Sequence, residues 1–117
     1  MDPYMGEIRM FAGNFAPDGW MFCHGQTLQI YENTALFSVL GTTYGGDGKR
    51  TFCLPDLRGR MPVDVNVDDW NVDLGVSGGT ESSGPFQRDT EHQYYQNTQY
   101  CTLSFIIAVV GNFPMRS

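Results

Sequence analysis

The alternation of polar and apolar positions predicts a domain built from short strands. Residues 6–11 alternate along the chain, which is typical of a half-buried strand. A second short strand is predicted at residues 20–23, after a turn in which Pro17 fixes φ and Gly19 accepts a positive φ. Residues 61–65 alternate as well and predict a further strand. The pattern indicates an α+β, mostly β fold with short strands and long loops.

The period of the pattern changes between residues 31 and 40, where we predict the one short helix of the domain. Four apolar residues recur there at helical spacing: Ala35, Leu36, Val39 and Leu40. Gly41 provides a stop at the C-terminal end of the helix. Because the helix is short, its stability depends on tertiary packing. The glycine-rich word at residues 45–48 is interpreted as a flexible turn.

The most apolar segment lies near the end of the chain. Residues 102–110 are rich in β-branched side chains, which predicts a strand buried on both faces. By contrast, residues 75–100 are polar and predict a long loop or arm that is ordered only by neighbours. We expect one domain over residues 1–117, composed of a scaffold at 1–74, the polar arm and a closing strand at 101–117.

Composition excludes several classes of function. With 117 residues, 41% of them hydrophobic, the chain can bury a core. Its net charge of −6 disfavours nucleic acid as a partner. The longest apolar stretch, residues 105–110, is too short to span a bilayer, and the first residues do not resemble a signal peptide. Three cysteines, an odd number, argue against a closed disulfide framework but leave one bridge open: Cys23, Cys53 and Cys101.

Several short words follow one another in a distinctive order. Between residues 11 and 60 they are a Pro-Asp-Gly turn before a Trp, Cys-His-Gly-Gln, Asn-Thr-Ala-Leu-Phe, Gly-Thr-Thr-Tyr-Gly-Gly-Asp-Gly and Leu-Pro-Asp-Leu-Arg-Gly-Arg. Residues 74–81 and 103–114 add an L-G-x-x-G-G-x-E segment and a closing strand that ends in Phe-Pro. In this order the words closely resemble the phage tail collar domain family, which occurs in short tail fibres and in proteins labelled microcystin-dependent.

The resemblance implies a structural, non-enzymatic component of a phage tail or tail-like fibre. It implies self-association as a homotrimer, or as an open polymer if a heterologous contact does not close. Other tail or fibre proteins are further expected partners, and the expected location is the virion tail or an extracellular fibre. Longer relatives carry a paired-histidine word and a variable insertion, where receptor recognition is expected. Residues 82–99 of this chain hold a polar segment instead, so we expect a building block rather than a receptor binder.

Metal binding is weakly indicated. Structural zinc takes about four ligands, and His24 and His92 are the only histidines, with no recognised spacing. His92 could bind a metal only if a trimer brought three copies to its axis, so we predict no metal and no cofactor. Residues 64–68 resemble the opening of a calcium loop, but Asp69 stands where that loop needs glycine. A strand with outward polar residues explains this segment better.

The word at residues 54–60 predicts a structured loop. Its candidate structural residues are Pro55, Asp56, Arg58, Gly59 and Arg60. Four of the seven basic residues lie in or near it: Lys49, Arg50, Arg58 and Arg60. An anion or glycan contact is one interpretation of this concentration. The favoured one pairs Arg58 or Arg60 with Asp56 or with loop carbonyls, through the planar guanidinium fork.

Catalysis is not predicted, because no nucleophile lies in a recognised motif. Neighbouring Cys23 and His24 point their side chains in different directions on a strand. Exposed aromatic residues offer a second hypothesis, an adhesin or lectin-like module that binds a cell-surface glycan or receptor. The candidate interface or ligand contacts are Trp70, Tyr94, Tyr95, Tyr100 and Phe105.

Overall fold

The computed structural model describes residues 2–65, 74–77 and 99–116. The chain divides into two compact units, which we describe separately. The first comprises Met1–Arg58 with Leu103–Ser117, and the second comprises Gly59–Thr102. The expectation of one domain over residues 1–117 stays a prediction.

The first unit contains two small antiparallel sheets and one short helix. Its strands are β1 (Ile8–Phe11), β2 (Trp20–Phe22), β3 (Thr27–Gln29), β4 (Thr51–Cys53) and β5 (Ser104–Ala108). A 3-10 turn at Ile30–Glu32 precedes the helix α1 (Thr34–Leu40). One sheet has the order β1-β5-β2, and the other pairs β3 with β4. The predicted fold class, mostly β with one short helix and loops, is confirmed.

Strand β5 occupies the centre of the three-stranded sheet. It pairs on one side with β1, where Ile8 lies opposite Ile107, and on the other side with β2. Its residues Ile106, Ile107 and Ala108 are at most 4% exposed. Because neighbouring residues of a strand point to opposite faces, this burial covers both faces of the sheet. The doubly buried strand predicted over residues 102–110 is confirmed for Ser104–Ala108, whereas Leu103 and Val110 lie outside the strand and are 47% and 65% exposed.

The core lies between this sheet, the helix and the β3–β4 pair. Phe52 at its centre is fully buried, and its ring packs at 5.4 Å from the ring of Phe37. The other buried members of the cluster are Cys23, Leu36, Leu40, Leu54 and Ile107.

The helix begins later than the sequence indicates. Asn33 has φ −140° and ψ 42°, which separates the 3-10 turn from α1, and its side-chain amide donates to the carbonyl of Gln29. The helix ends at Gly41, whose φ of +57° places it in the left-handed region. Leu36 and Leu40 are buried as predicted, whereas Val39 is 37% exposed.

Two predictions from alternation are wrong. Residues 61–65 form no strand; Pro62 lacks a backbone donor, and Val63 is 74% exposed. Strand β1 exists, but the half-buried pattern predicted for residues 6–11 is not found, because the apolar residues Ile8 and Met10 are 39% and 67% exposed.

The described part of the second unit, residues 59–65, 74–77 and 99–102, contains a turn at residues 74–75 and no helix or strand. Nearly all of its described side chains are exposed.

Candidate functional site

Residues 45–51, which we call the Asp47 loop, are held by one carboxylate. Oδ1 of Asp47 accepts hydrogen bonds from the backbone N–H groups of Lys49, Arg50 and Thr51, each at 2.9 Å. The N–H of Asp47 in turn donates to Oγ1 of Thr51 at 3.2 Å. The three backbone donors, that of Arg50 first, hold the pKa of Asp47 well below its ordinary value. The segment predicted as a turn is thus held by a local hydrogen-bond network.

Glycines bring the Asp47 loop against strand β4. The N–H of Gly48 donates to the carbonyl of Thr51 at 3.0 Å, and the carbonyl of Gly45 accepts from the N–H of Cys53 at 3.1 Å. Gly46 has φ +99°, and a Cβ there would lie 2.4 Å from Cα of Phe52. Only glycine fits at this position, because the obstructing atom belongs to the backbone.

Residues 54–58, which we call the Asp56 loop, are held mainly by backbone hydrogen bonds to residues 23–26. The N–H of Leu54 donates to the carbonyl of Gln26 at 3.0 Å, and that of Leu57 donates to the carbonyl of Cys23 at 2.9 Å. The buried Pro55 accepts from the N–H of Gly25 at 3.1 Å. The word Cys-His-Gly-Gln thus forms the partner segment of this loop.

The guanidinium of Arg58 binds Asp56 through two contacts. Nε lies 2.9 Å from Oδ1, and Nη2 lies 2.9 Å from Oδ2. Of the two arginines considered from the sequence, Arg58 forms this ion pair. Arg60 belongs to the second unit and is exposed, and its neighbour Gly59 has a φ of +65°. The side chain of Arg58 is 61% exposed, so this is a surface pair rather than a buried one.

The cysteine and histidine candidates of the first unit have structural surroundings. Cys23 is 1% exposed, and burial raises the pKa of its thiol to about 11, which suppresses the nucleophilic thiolate. The exposed ring of His24 stacks on Phe22 with centroids 5.0 Å apart. The cysteines at positions 23, 53 and 101 are all free. Within the described ranges, no group of three or more His, Cys, Asp or Glu residues is placed to hold a metal ion.

An apolar surface lies on strand β1. Ile8 and Met10 lie on the same face of the sheet as their partners on β5, Ile107 and Phe105. We call the surface formed by Ile8 and Met10 the β1 face. The opposite face of β1 is covered differently, because Arg9 bonds to Glu7 at 2.6 Å and lies 5.2 Å from the ring centroid of Trp20.

Of the aromatic candidates, the structure describes Tyr100 and Phe105. Trp70, Tyr94 and Tyr95, like His92, lie outside the described residues. Tyr100 is 59% exposed in the second unit. Phe105 is half-buried and packs against the core of the first unit, so it is mainly a packing residue.

Lys49 and Arg50 line an open groove on the first unit. The groove is also lined by Tyr31, whose side chain is exposed. Tyr31 was not predicted from the sequence as a site residue, because its position next to a helix suggested no binding role.

In the described part of the chain, no helix has the length and apolar character needed to cross a membrane.

Comparison with known proteins shows what these elements are similar to. Residues 6–62, which include both loops, β1 to β4 and the helix, match the family model of the phage tail collar domain. This match confirms the resemblance to the phage tail collar domain found in the sequence. The chain is also similar to the short tail fiber protein gp12 of Enterobacteria phage T4, with 41% identity over 56 residues. The similarity covers 47% of this chain and 10% of that relative's length.

Proposed function

We propose that the protein is a structural, non-enzymatic component of a phage tail or tail-like fibre, and that it assembles with itself into a trimer or an open polymer. The tail collar match and the similarity to a short tail fiber protein support the structural role. The buried, high-pKa thiol of Cys23 fits a role without nucleophilic catalysis. Other tail or fibre proteins are the further partners that this role requires.

The observation that carries self-association is the exposed β1 face. Strand β1 lies at an edge of its sheet, and Met10 remains 67% exposed although its partner Phe105 packs against the core. The register with β5 fixes Ile8 and Met10 on the same face as Ile107 and Phe105, but at the edge of the sheet the two residues remain 39% and 67% exposed. An apolar strand at a sheet edge is a template for association, and a second copy of the chain would cover it.

Light scattering on the full chain tests this proposal. We expect a mass of several times 13.1 kDa at micromolar concentration, and closed particles or fibres in electron micrographs. Met10→Lys should lower the mass, because a charge on the covered face must be desolvated. Met115→Lys is the matched control, since Met115 is 84% exposed and lies outside β1.

A mass of 13.1 kDa for the unaltered chain at all concentrations would refute self-association. An unchanged mass for Met10→Lys, with circular dichroism like that of the unaltered chain, would show that assembly uses another surface.

A further inference from the structure

The groove beside the Asp47 loop has features of a binding site that the assembly role does not use. It is open to solvent and has a volume of about 580 Å³, within the range that holds small ligands. Its walls are the 3-10 turn with the start of α1, and the basic end of the Asp47 loop. Its lining consists of Gln29, Ile30, Tyr31, Thr34, Lys49 and Arg50.

The backbone of the groove is fixed before any ligand arrives. The carboxylate of Asp47 holds the N–H groups of Lys49 and Arg50. The carbonyl of Arg50 accepts from the N–H of Ile30 at 2.9 Å, which ties one wall to the other. Binding would therefore order side chains but not the loop, and this lowers its entropic cost.

The two cations of the groove are not neutralised by the residues around them. Asp47 directs Oδ1 to backbone donors, and within the described ranges the ion pairs join Arg9 to Glu7 and Arg58 to Asp56. Lys49 and Arg50 are exposed and take part in neither pair. On the other wall, the carboxylate of Glu32 lies next to Tyr31 in the 3-10 turn and raises the pKa of the Tyr31 hydroxyl. Lys49 and Arg50 thus lie outside the ion pairs of the described residues, and their side chains are exposed at the groove.

We propose that this groove binds an acidic saccharide. The anionic group of the sugar lies between Lys49 and Arg50, where an ammonium and a guanidinium can bond to the same oxygens. The face of the pyranose ring packs on Tyr31, which is 75% exposed. Gln29 and Thr34 supply an amide and a hydroxyl to the sugar hydroxyls. This site goes beyond the assembly role and does not depend on it, because every lining residue comes from one unit of one chain.

Amide-resolved NMR titration of the full chain tests the site. The probes are trigalacturonate, its neutral counterpart trigalactose, and inorganic phosphate. We expect trigalacturonate to shift the amides of Ile30, Tyr31 and Arg50 at millimolar concentration or below. Trigalactose and phosphate should bind at least about tenfold more weakly, since each lacks half of the contacts. Binding should weaken as salt is added, because exposed charges are screened.

Matched variants separate the roles of the side chains. Lys49→Gln with Arg50→Gln should weaken trigalacturonate binding about tenfold or more, whereas Arg116→Gln, an exposed arginine outside the groove, should leave it unchanged. Tyr31→Leu should remove the preference for trigalacturonate over phosphate, and Tyr31→Phe should retain it. Absence of trigalacturonate binding, equal affinity for phosphate, or full binding by the double variant would overturn the proposal. The assembled mass is measured on the same samples, so failure of this site is distinguishable from failure of self-association.

Discussion

The Asp47 loop and the Asp56 loop are neighbours in the chain and each contains one aspartate, but the two carboxylates act differently. Asp47 binds three backbone N–H groups of its own loop. Asp56 accepts hydrogen bonds from Arg58, at 3.2 Å from its backbone N–H and at 2.9 Å from its exposed guanidinium. The Asp56 loop is instead held through its backbone by residues 23–26 and by the burial of Leu54 and Pro55. A carboxylate that binds backbone determines the shape of its loop, whereas one that binds an exposed side chain adds little to a loop already fixed.

Replacing glycine should reveal the tighter packing of the Asp47 loop. Gly46→Ala should lower the free energy of unfolding by about 3 kcal/mol, because its Cβ would meet the backbone of Phe52 at positive φ. Gly59→Ala, at φ +65° with open space around its Cβ, should cost only about 1 kcal/mol. Urea unfolding of both variants measures the difference. Equal losses would mean that positive φ, and not the contact with β4, sets the cost.

Acid unfolding should separate the two aspartates. The pKa of Asp47 is depressed from its ordinary value of about 3.8, so its carboxylate contributes stability that is present above that pH and is lost as pH falls below it. Asp47→Asn should therefore lower stability at neutral pH and flatten the loss of stability below about pH 4.

Asp56→Asn is the matched control and should change the neutral-pH stability less. Melting curves from pH 2 to 7 give both quantities. An acid transition in Asp47→Asn as steep as that of the unaltered chain would contradict the role assigned to the backbone donors. Glu7, whose pKa is lowered by Arg9, should leave a residual slope in every variant.

The smallest effect is expected at Arg58. Because its ion pair is exposed, Arg58→Ala should shift the melting temperature only slightly, and the shift should shrink further at high salt. A larger loss would require the arginine to satisfy a buried partner, such as one of the loop carbonyls considered from the sequence. A large, salt-independent loss on Arg58→Ala would indicate such a partner.

The sequence predicted burial better where a segment is apolar throughout than where it alternates. The burial of the β-branched run in β5 was predicted correctly, because consecutive apolar residues such as Ile106 and Ile107 point to opposite faces and both faces must then be covered. Alternation at residues 61–65 and at Ile8 and Met10 was misleading, since it indicates which residues share a face but not whether anything covers that face. The role of Asp47 was missed because it depends on the fold of the loop, which brings the backbone N–H groups of residues 49–51 to the Asp47 carboxylate. An aspartate among glycines, typical of local backbone bonding, was the available signal.

Amide hydrogen exchange on β1 tests most directly the claim that this protein assembles through its β1 face. The peptide covering residues 8–11 should exchange more slowly as protein concentration rises through the assembly range, while Met10→Lys should show the same fast exchange at every concentration. Peptides from β5 should stay protected in both, because that strand is buried within the chain. Exchange of residues 8–11 that does not change with concentration, while the scattering mass increases, would contradict the account.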